Sequence, residues 1–354
     1  MDEGGFLMEK RHTSMERVLT TMSKHEPDKV PLFLMCTHYC AKFLDISIKN
    51  YFSKPENVAK GQMMLLRKFN NDCLNPFYSA AHEYAAFGSE VIFNEAGPPN
   101  AGEPIIKNFD DILKLQPPDV KNSKILRNCL ETISILKEEV GMSVPIAGGV
   151  LSPFSLPILQ MGFDKYIELI YEKPELLEHL IKINERFCTE WANMQLAAGA
   201  SFITTIDSMS VSSIIPKSIY LKTGFLSAKR TIPTIKSDVA IATSSASSSS
   251  ILEEILESGI KAILVSHTDD LAEIKKKVGQ RATLLGNLNG IEMCRWTRFD
   301  AEYNVKEAIR KAGVGGGFIL CDSLGDIPYQ VSEDILYEIS ESVNKWGRYP
   351  LNWR

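Results

Sequence analysis

Residues 262–288, AILVSHTDDLAEIKKKVGQRATLLGNL, read as one complete strand–helix–strand unit. AILVS (262–266) and ATLLGNL (282–288) are continuous apolar runs, the pattern of strands covered on both faces. Between them, DDLAEIKKKVG (269–279) opens on capping-type aspartates and stops at a glycine, as a helix does. A helix that joins two such strands makes them parallel.

The same alternation extends in both directions. Further candidate strands are KVPLFLM (29–35), DCLNPFY (72–78), SVPIAGGV (143–150), SFITTID (201–207), VAIATS (239–244) and GGFILCDS (316–323). Amphipathic stretches lie between them. SMERVLTTM (14–22) places Met15, Val18 and Leu19 on one face, and SEDILYEISESV (332–343) starts on a capping serine. KPELLEHLIKINERFCTEWANMQLAAG (173–199) is a long helix entered through Lys173-Pro174 and stopped at Gly199. Eight strands, each followed by helical sequence, predict an α/β fold of the closed (β/α)8 TIM-barrel type. SEVIFNEAGPPNAGEPIIK (89–107) breaks the rhythm and reads as a β-hairpin-like excursion after the second unit. With no repeat and no linker in view, residues 14–354 read as one domain behind an N-terminal extension, 1–13.

Composition narrows the function. Of 354 residues, 44% are hydrophobic and 23% charged, enough to bury a large core. A net charge of −5 without a basic block argues against nucleic acid and anionic membrane as partners. No apolar run approaches the ~18 residues of a membrane span, and MDEGGFLMEKRHTSMERV lacks the apolar stretch of a signal peptide. Seven scattered cysteines read as reduced thiols in a cytoplasmic protein. A homodimer is left open.

In a barrel of this type, chemistry sits at the C-terminal ends of the strands. That rule selects Cys36, His38 and Cys40 after the first strand, and Ser79 and Glu83 after the second. Asp207 and Ser208 follow the fourth, the serine run the fifth, His267 the sixth, Asn287 the seventh, and Cys321 with Asp322 the eighth. In MCTHYC, residues two apart face the same way if the segment is extended, so Cys36, His38 and Cys40 can converge on one zinc. Alternatively, the cysteines are small buried hydrophobes and His38 is a hydrogen-bonding wall residue. Asp207 and Glu83 are candidate acids or ligand-orienting carboxylates, or else a turn cap and a salt-bridged helix residue. His267 is either a proton donor or cofactor-amide ligand, or a partner of Asp269 or Asp270. Ser247 to Ser250 cap the helix that begins near Ile251, and their amides can hold an anion. The turn 94–100, ending at Asn100, can border the mouth.

Several segments together resemble the uroporphyrinogen decarboxylase superfamily. They are SMERVLTTMSKHEPDKVPLF, EYAAFGSEV, GPPNAGEPIIKNFDDI, GGVLSPFSLPILQMG, IDSMSVSSIIPKS, ILEEILESGIKAILVSHTDDLAEIKKKVGQRATLLGNLNG and GGFILCDSLGDIP. The resemblance covers about Ser14 to Val343 and looks closest to the cobalamin-dependent methyltransferase branch, such as methylcobalamin:coenzyme M methyltransferases. It implies a distorted (β/α)8 barrel and a cobalamin cofactor, bound free or on a corrinoid partner protein. The decarboxylases carry an arginine-bearing RQAGR stretch after the first strand; here MCTHYCAKF has no arginine. They also place an aspartate where this chain has Ser79. The thiol methyltransferases bind zinc through His-x-Cys after the fifth strand and a distal Cys after the eighth. Those positions fall near Thr243, Ser245 and Leu324, so the serine run in IATSSASSSS (241–250) stands where a zinc motif would. Cys321 lies just before the distal position. The resemblance therefore implies methyl transfer between a cobalamin and a small molecule without the usual zinc. Decarboxylation of a carboxylated substrate and a non-catalytic corrinoid or small-molecule binder are the alternatives.

Overall fold

The computed structural model describes residues 12–243 and 246–353. Nine strands are present among them: β1 (Leu32–Phe33), β2 (Val91–Ile92), β3 (Asn100–Ala101), β4 (Ala147–Leu151), β5 (Phe202–Ile206), β6 (Val239–Ala242), β7 (Ala262–Leu264), β8 (Thr283–Leu288) and β9 (Phe318–Asp322). Seven form one curled sheet in the order β1-β9-β8-β7-β6-β5-β4, every pair parallel. Helices surround it. Within the 89–107 segment, β2 and β3 pair antiparallel, Val91 with Ala101 and Ile92 with Asn100.

The strand expected over 72–78 is not one. Only Leu74 bridges, to Ile146. Side chains replace the missing ladder. Asn71 Oδ1 accepts from the Leu34 amide at 2.7 Å, and Asp72 Oδ2 from the Leu32 amide at 2.9 Å. The Asp72 amide donates to the Leu32 carbonyl, and Leu74 exchanges backbone bonds with Pro145 and Ala147. Residues 72–74 thus touch both edge strands, β1 and β4. Beyond them Pro76 has no amide hydrogen to give a ladder.

Alternation within the strands builds two apolar layers. Leu32, Leu34, Ile203, Val239, Ile241, Ile263, Leu284, Phe318 and Leu320 pack outward against the helices. Phe33, Met35, Ala147, Ala240, Ala242, Ala262, Leu264, Leu285, Ile319 and Cys321 pack together on the inner face. Helix Leu271–Val278 starts on Asp270, whose carboxylate accepts from the Ala272 and Glu273 amides, and stops at Gly279, which holds φ at +58°. Helix Pro174–Ala198 runs as its sequence predicts. Helix Ser14–Met22 corrects its expected face: it buries Arg17, Val18 and Thr21, while Leu19 is exposed. No helix among the described residues is long and apolar enough to cross a membrane.

Candidate active-site cavity

At the C-terminal ends of the strands lies a cavity of about 340 Å³. Phe33, Met35, Ala147, Gly149, Thr204, Ile206, Ala240, Ala242, Leu264 and Leu285 form its walls. Loops carrying Asn75, Phe77 to Ala80, Pro98-Pro99 and Leu324 to Asp326 border it. The space exists because inward positions are small. A Cβ on Gly149 would lie 2.6 Å from Cδ2 of Phe77, so only glycine lets that ring pack there.

Among the described lining residues the only charged side chain is Asp326. Its carboxylate is fixed from the protein side. The Thr37 amide donates to Oδ1 at 3.0 Å, and the Thr37 hydroxyl donates to Oδ2 at 2.8 Å. His38 Nδ1 lies 2.8 Å from Oδ2, and the His38 ring stacks on Tyr329. Asp322 sits behind it, at the end of β9. Its Oδ1 accepts from the Leu324 and Gly325 amides, while its buried Oδ2 has no hydrogen-bond partner. Burial pushes the Asp322 carboxyl up to about 7, and the charge of Asp326 adds to the effect.

Several expected site residues are placed elsewhere. Glu83, on helix Ala80–Ala85, is buried, with Oε2 accepting from the Leu151 amide (2.8 Å) and Oε1 from the Trp191 indole (3.1 Å). Burial raises its carboxyl to about 8, but it does not line the cavity. Asp207, just after β5, turns to the outer face. It accepts from the Ser155 hydroxyl, the Ser210 hydroxyl and the Ser210 amide, beside a separate hollow of about 20 Å³. Burial raises its carboxyl too. Neither carboxylate lines the cavity; one ties a helix to β4 and the other caps a turn.

Ser79 lines the cavity, its hydroxyl 2.7 Å from His82 Nδ1. Ser208 is half-buried in the bend after β5. Asn100 is exposed on β3. Ser247 bonds Asp269 at 2.5 Å, and His267 Nδ1 lies 3.0 Å from the Ser323 hydroxyl. Asn287 donates to the Ser266 and Asp269 carbonyls. Cys321 belongs to the buried inner layer rather than the mouth. Ser245 lies outside the described residues.

The expected convergence of Cys36, His38 and Cys40 does not occur, because His38–Leu44 is a 3-10 helix and not an extended run. The Cys40 thiol faces the Cys36 carbonyl at 3.5 Å, and Gln62 caps the same carbonyl. Burial raises both thiols, the opposite of what a zinc ligand needs. Among the described residues no three His, Cys, Asp or Glu side chains are grouped to hold a metal. At the positions where the resemblance implies zinc ligands, Thr243 and Leu324 offer none, so the described residues do not fit zinc. Sequence reasoning also missed Thr37, Phe77 and Asp326. The GDIP turn after the last strand signals Asp326, but only the fold carries that turn back to Thr37.

The profile of the family described as "Uroporphyrinogen decarboxylase (URO-D)" matches residues 13–346. A relative named "Uroporphyrinogen decarboxylase" from Idiomarina loihiensis is 21% identical over 94% of this chain and 96% of its own length. One named "Methylcobamide:CoM methyltransferase MtaA" from Methanosarcina barkeri is 23% identical over 91% of this chain and 95% of its own. A solved methyltransferase from Methanosarcina mazei superposes with TM-score 0.86 at 18% identity, covering 95% of this chain and 99% of that one. A B12-independent methionine synthase from Shewanella superposes with TM-score 0.53 at 11% identity, over 82% of this chain and 85% of that one. With the profile spanning nearly the whole chain, the protein belongs to the uroporphyrinogen decarboxylase family.

Proposed function

We propose that this protein is a corrinoid-dependent methyltransferase. It moves a methyl group between a cobalamin, free or on a corrinoid protein, and a small molecule held in the cavity at the strand ends. We read the sheet as a distorted barrel closed through residues 72–74, folded as one domain and working in the cytoplasm. The observation that carries the functional reading is the cavity wall. It is mostly apolar, and among the described residues it holds no arginine or lysine. A substrate bearing many carboxylates needs such cations. The cavity also sits at the small end of the ~300–1,000 Å³ range of ligand pockets. Extensive similarity to a methyltransferase and to a relative named for methylcobamide supports the same side.

A corrinoid laid over the opening would meet Pro98, Pro99, Leu324 and Gly325, an uncharged rim suited to an apolar macrocycle face. In this reading His267, whose Nδ1 lies 3.0 Å from the Ser323 hydroxyl, meets the corrinoid's amide side chains. The corrinoid supplies the methyl-carrying cobalt. The chain's own residues hold the small molecule, exclude water, and orient it through the hydroxyls and amide of Thr37, Ser79 and Asn75. No step passes through zinc.

The test is turnover of the purified protein with methylcobalamin, or reduced cobalamin plus methyl donors, followed by the cobalt absorbance change. Methyl transfer to or from at least one small molecule is expected, with uroporphyrinogen left unconsumed. A decarboxylase is the second reading, favoured by the equally extensive match to a relative of that name. Carbon dioxide release from uroporphyrinogen, with cobalt inert throughout, establishes it and ends the first.

A further inference from the structure

Asp326 is the one charged side chain among the described residues around a cavity whose other walls are mostly apolar, with Phe33, Met35 and Phe77 among them and the neutral Thr37, Asn75, Ser79 and Thr204 between. We propose that this cavity takes a methylated ammonium ion, its charge facing Asp326 and its methyl groups facing the rings. What the ligand then does rests on the methyl-transfer reading; its binding does not.

Among the described lining residues no lysine or arginine faces Asp326 across the cavity. The groups that hold its carboxylate are the Thr37 amide and hydroxyl and Nδ1 of the His38 ring, all on the protein side. The side chain of Asp326 keeps 28% of its surface open. Behind it the buried Oδ2 of Asp322 has no hydrogen-bond partner, so no cation reaches this corner from the protein side. Lys42 does not relieve it. Its ammonium sits 4.4 Å from the Tyr39 and Tyr329 ring centres and donates to the Tyr329 carbonyl. The Phe77 ring, packed on Gly149, is only half-buried and so leaves ring surface open to the cavity. Ring faces attract a desolvated cation within ~6 Å. An inorganic cation would want about six oxygen ligands, which this wall does not supply.

Threonine and leucine at the implied zinc-ligand positions, Thr243 and Leu324, are compatible with this ligand. A quaternary ammonium needs neither a thiolate nor a proton donor. Its carbon–nitrogen bond breaks with the electron pair staying on nitrogen, which leaves as a neutral amine. The methyl carbon takes its new bond from the electron pair of reduced corrinoid cobalt.

Binding is measured without corrinoid, by calorimetry on the full chain, with choline and its uncharged isostere 3,3-dimethyl-1-butanol. Choline should bind roughly tenfold more tightly or better. Asp326→Asn should erase the difference. Phe77→Leu, which keeps an apolar wall, should weaken choline and leave the alcohol unchanged. Equal affinity for the two compounds, no choline binding at millimolar concentration, or a preference that survives Asp326→Asn overturns the proposal. Choline binding without any methyl transfer removes the functional reading alone. Methyl transfer confined to neutral donors, with no ammonium preference, removes this one alone.

Discussion

Glu83 has both carboxyl oxygens engaged, by the Leu151 amide and the Trp191 indole, and burial holds its carboxyl at about 8. The unfolded chain titrates near the ordinary ~4.3. Between those values the folded state binds the extra proton, so Glu83 adds stability below the lower value and loses it as pH rises toward the upper. Glu83→Gln, uncharged at every pH, should flatten the fall in melting temperature between about pH 5 and 8. A melting curve of the variant that falls as steeply as the parent's would contradict the burial argument. Zinc offers a second check at this scale. Cys36→Ser and His38→Ala should leave the zinc content of purified protein unchanged, because the Cys40 thiol faces the Cys36 carbonyl and the His38 ring faces Asp326.

At the scale of elements, the two ends of the sheet do different work. Opposite the cavity, Arg17 on the first helix bonds both oxygens of Asp28 at 2.7 Å and Oδ1 of Asp72 at 2.6 Å. Asp72 in turn holds the Leu32 amide at the start of β1. One arginine therefore clamps the first helix, the first strand and the segment that stands in for the expected second strand. Removing one partner of a buried ion pair leaves the others desolvated and unpaired, at a cost of about 3–5 kcal/mol. Arg17→Ala should lower unfolding stability by about that much in urea titration. Ligand affinity of the folded variant should stay within about twofold. A larger loss of affinity would mean the two ends are coupled.

The whole molecule sums several buried acids. Glu83 and Asp322 are raised to about 8 and about 7, and Asp207 is raised as well. All three favour folding most when protonated, so stability should decline as pH rises from about 5 to about 8. Urea midpoints measured across that range check it; a rising midpoint would show that these groups stay ionised. This charge economy was invisible in the sequence, where Glu83, Asp207 and Asp322 are three carboxylates among many.

The sequence by itself determined the four helices bounded from it and seven of the strands, because apolar periodicity, Pro174, Asp270 and Gly279 act within a few residues of themselves. It also determined that no arginine follows the first strand and that the zinc-ligand positions hold threonine, serine and leucine. Only the tertiary structure decided that Asn71 and Asp72 serve β1 by side chain instead of forming a strand. Only it turned Asp207 outward, buried Glu83 behind the mouth and set Asp326 beside Thr37 and His38. Direction and desolvation depend on groups far apart in the chain, Thr37 and Asp326 being separated by 289 positions. Local pattern carries no information about such contacts until the sheet has curled.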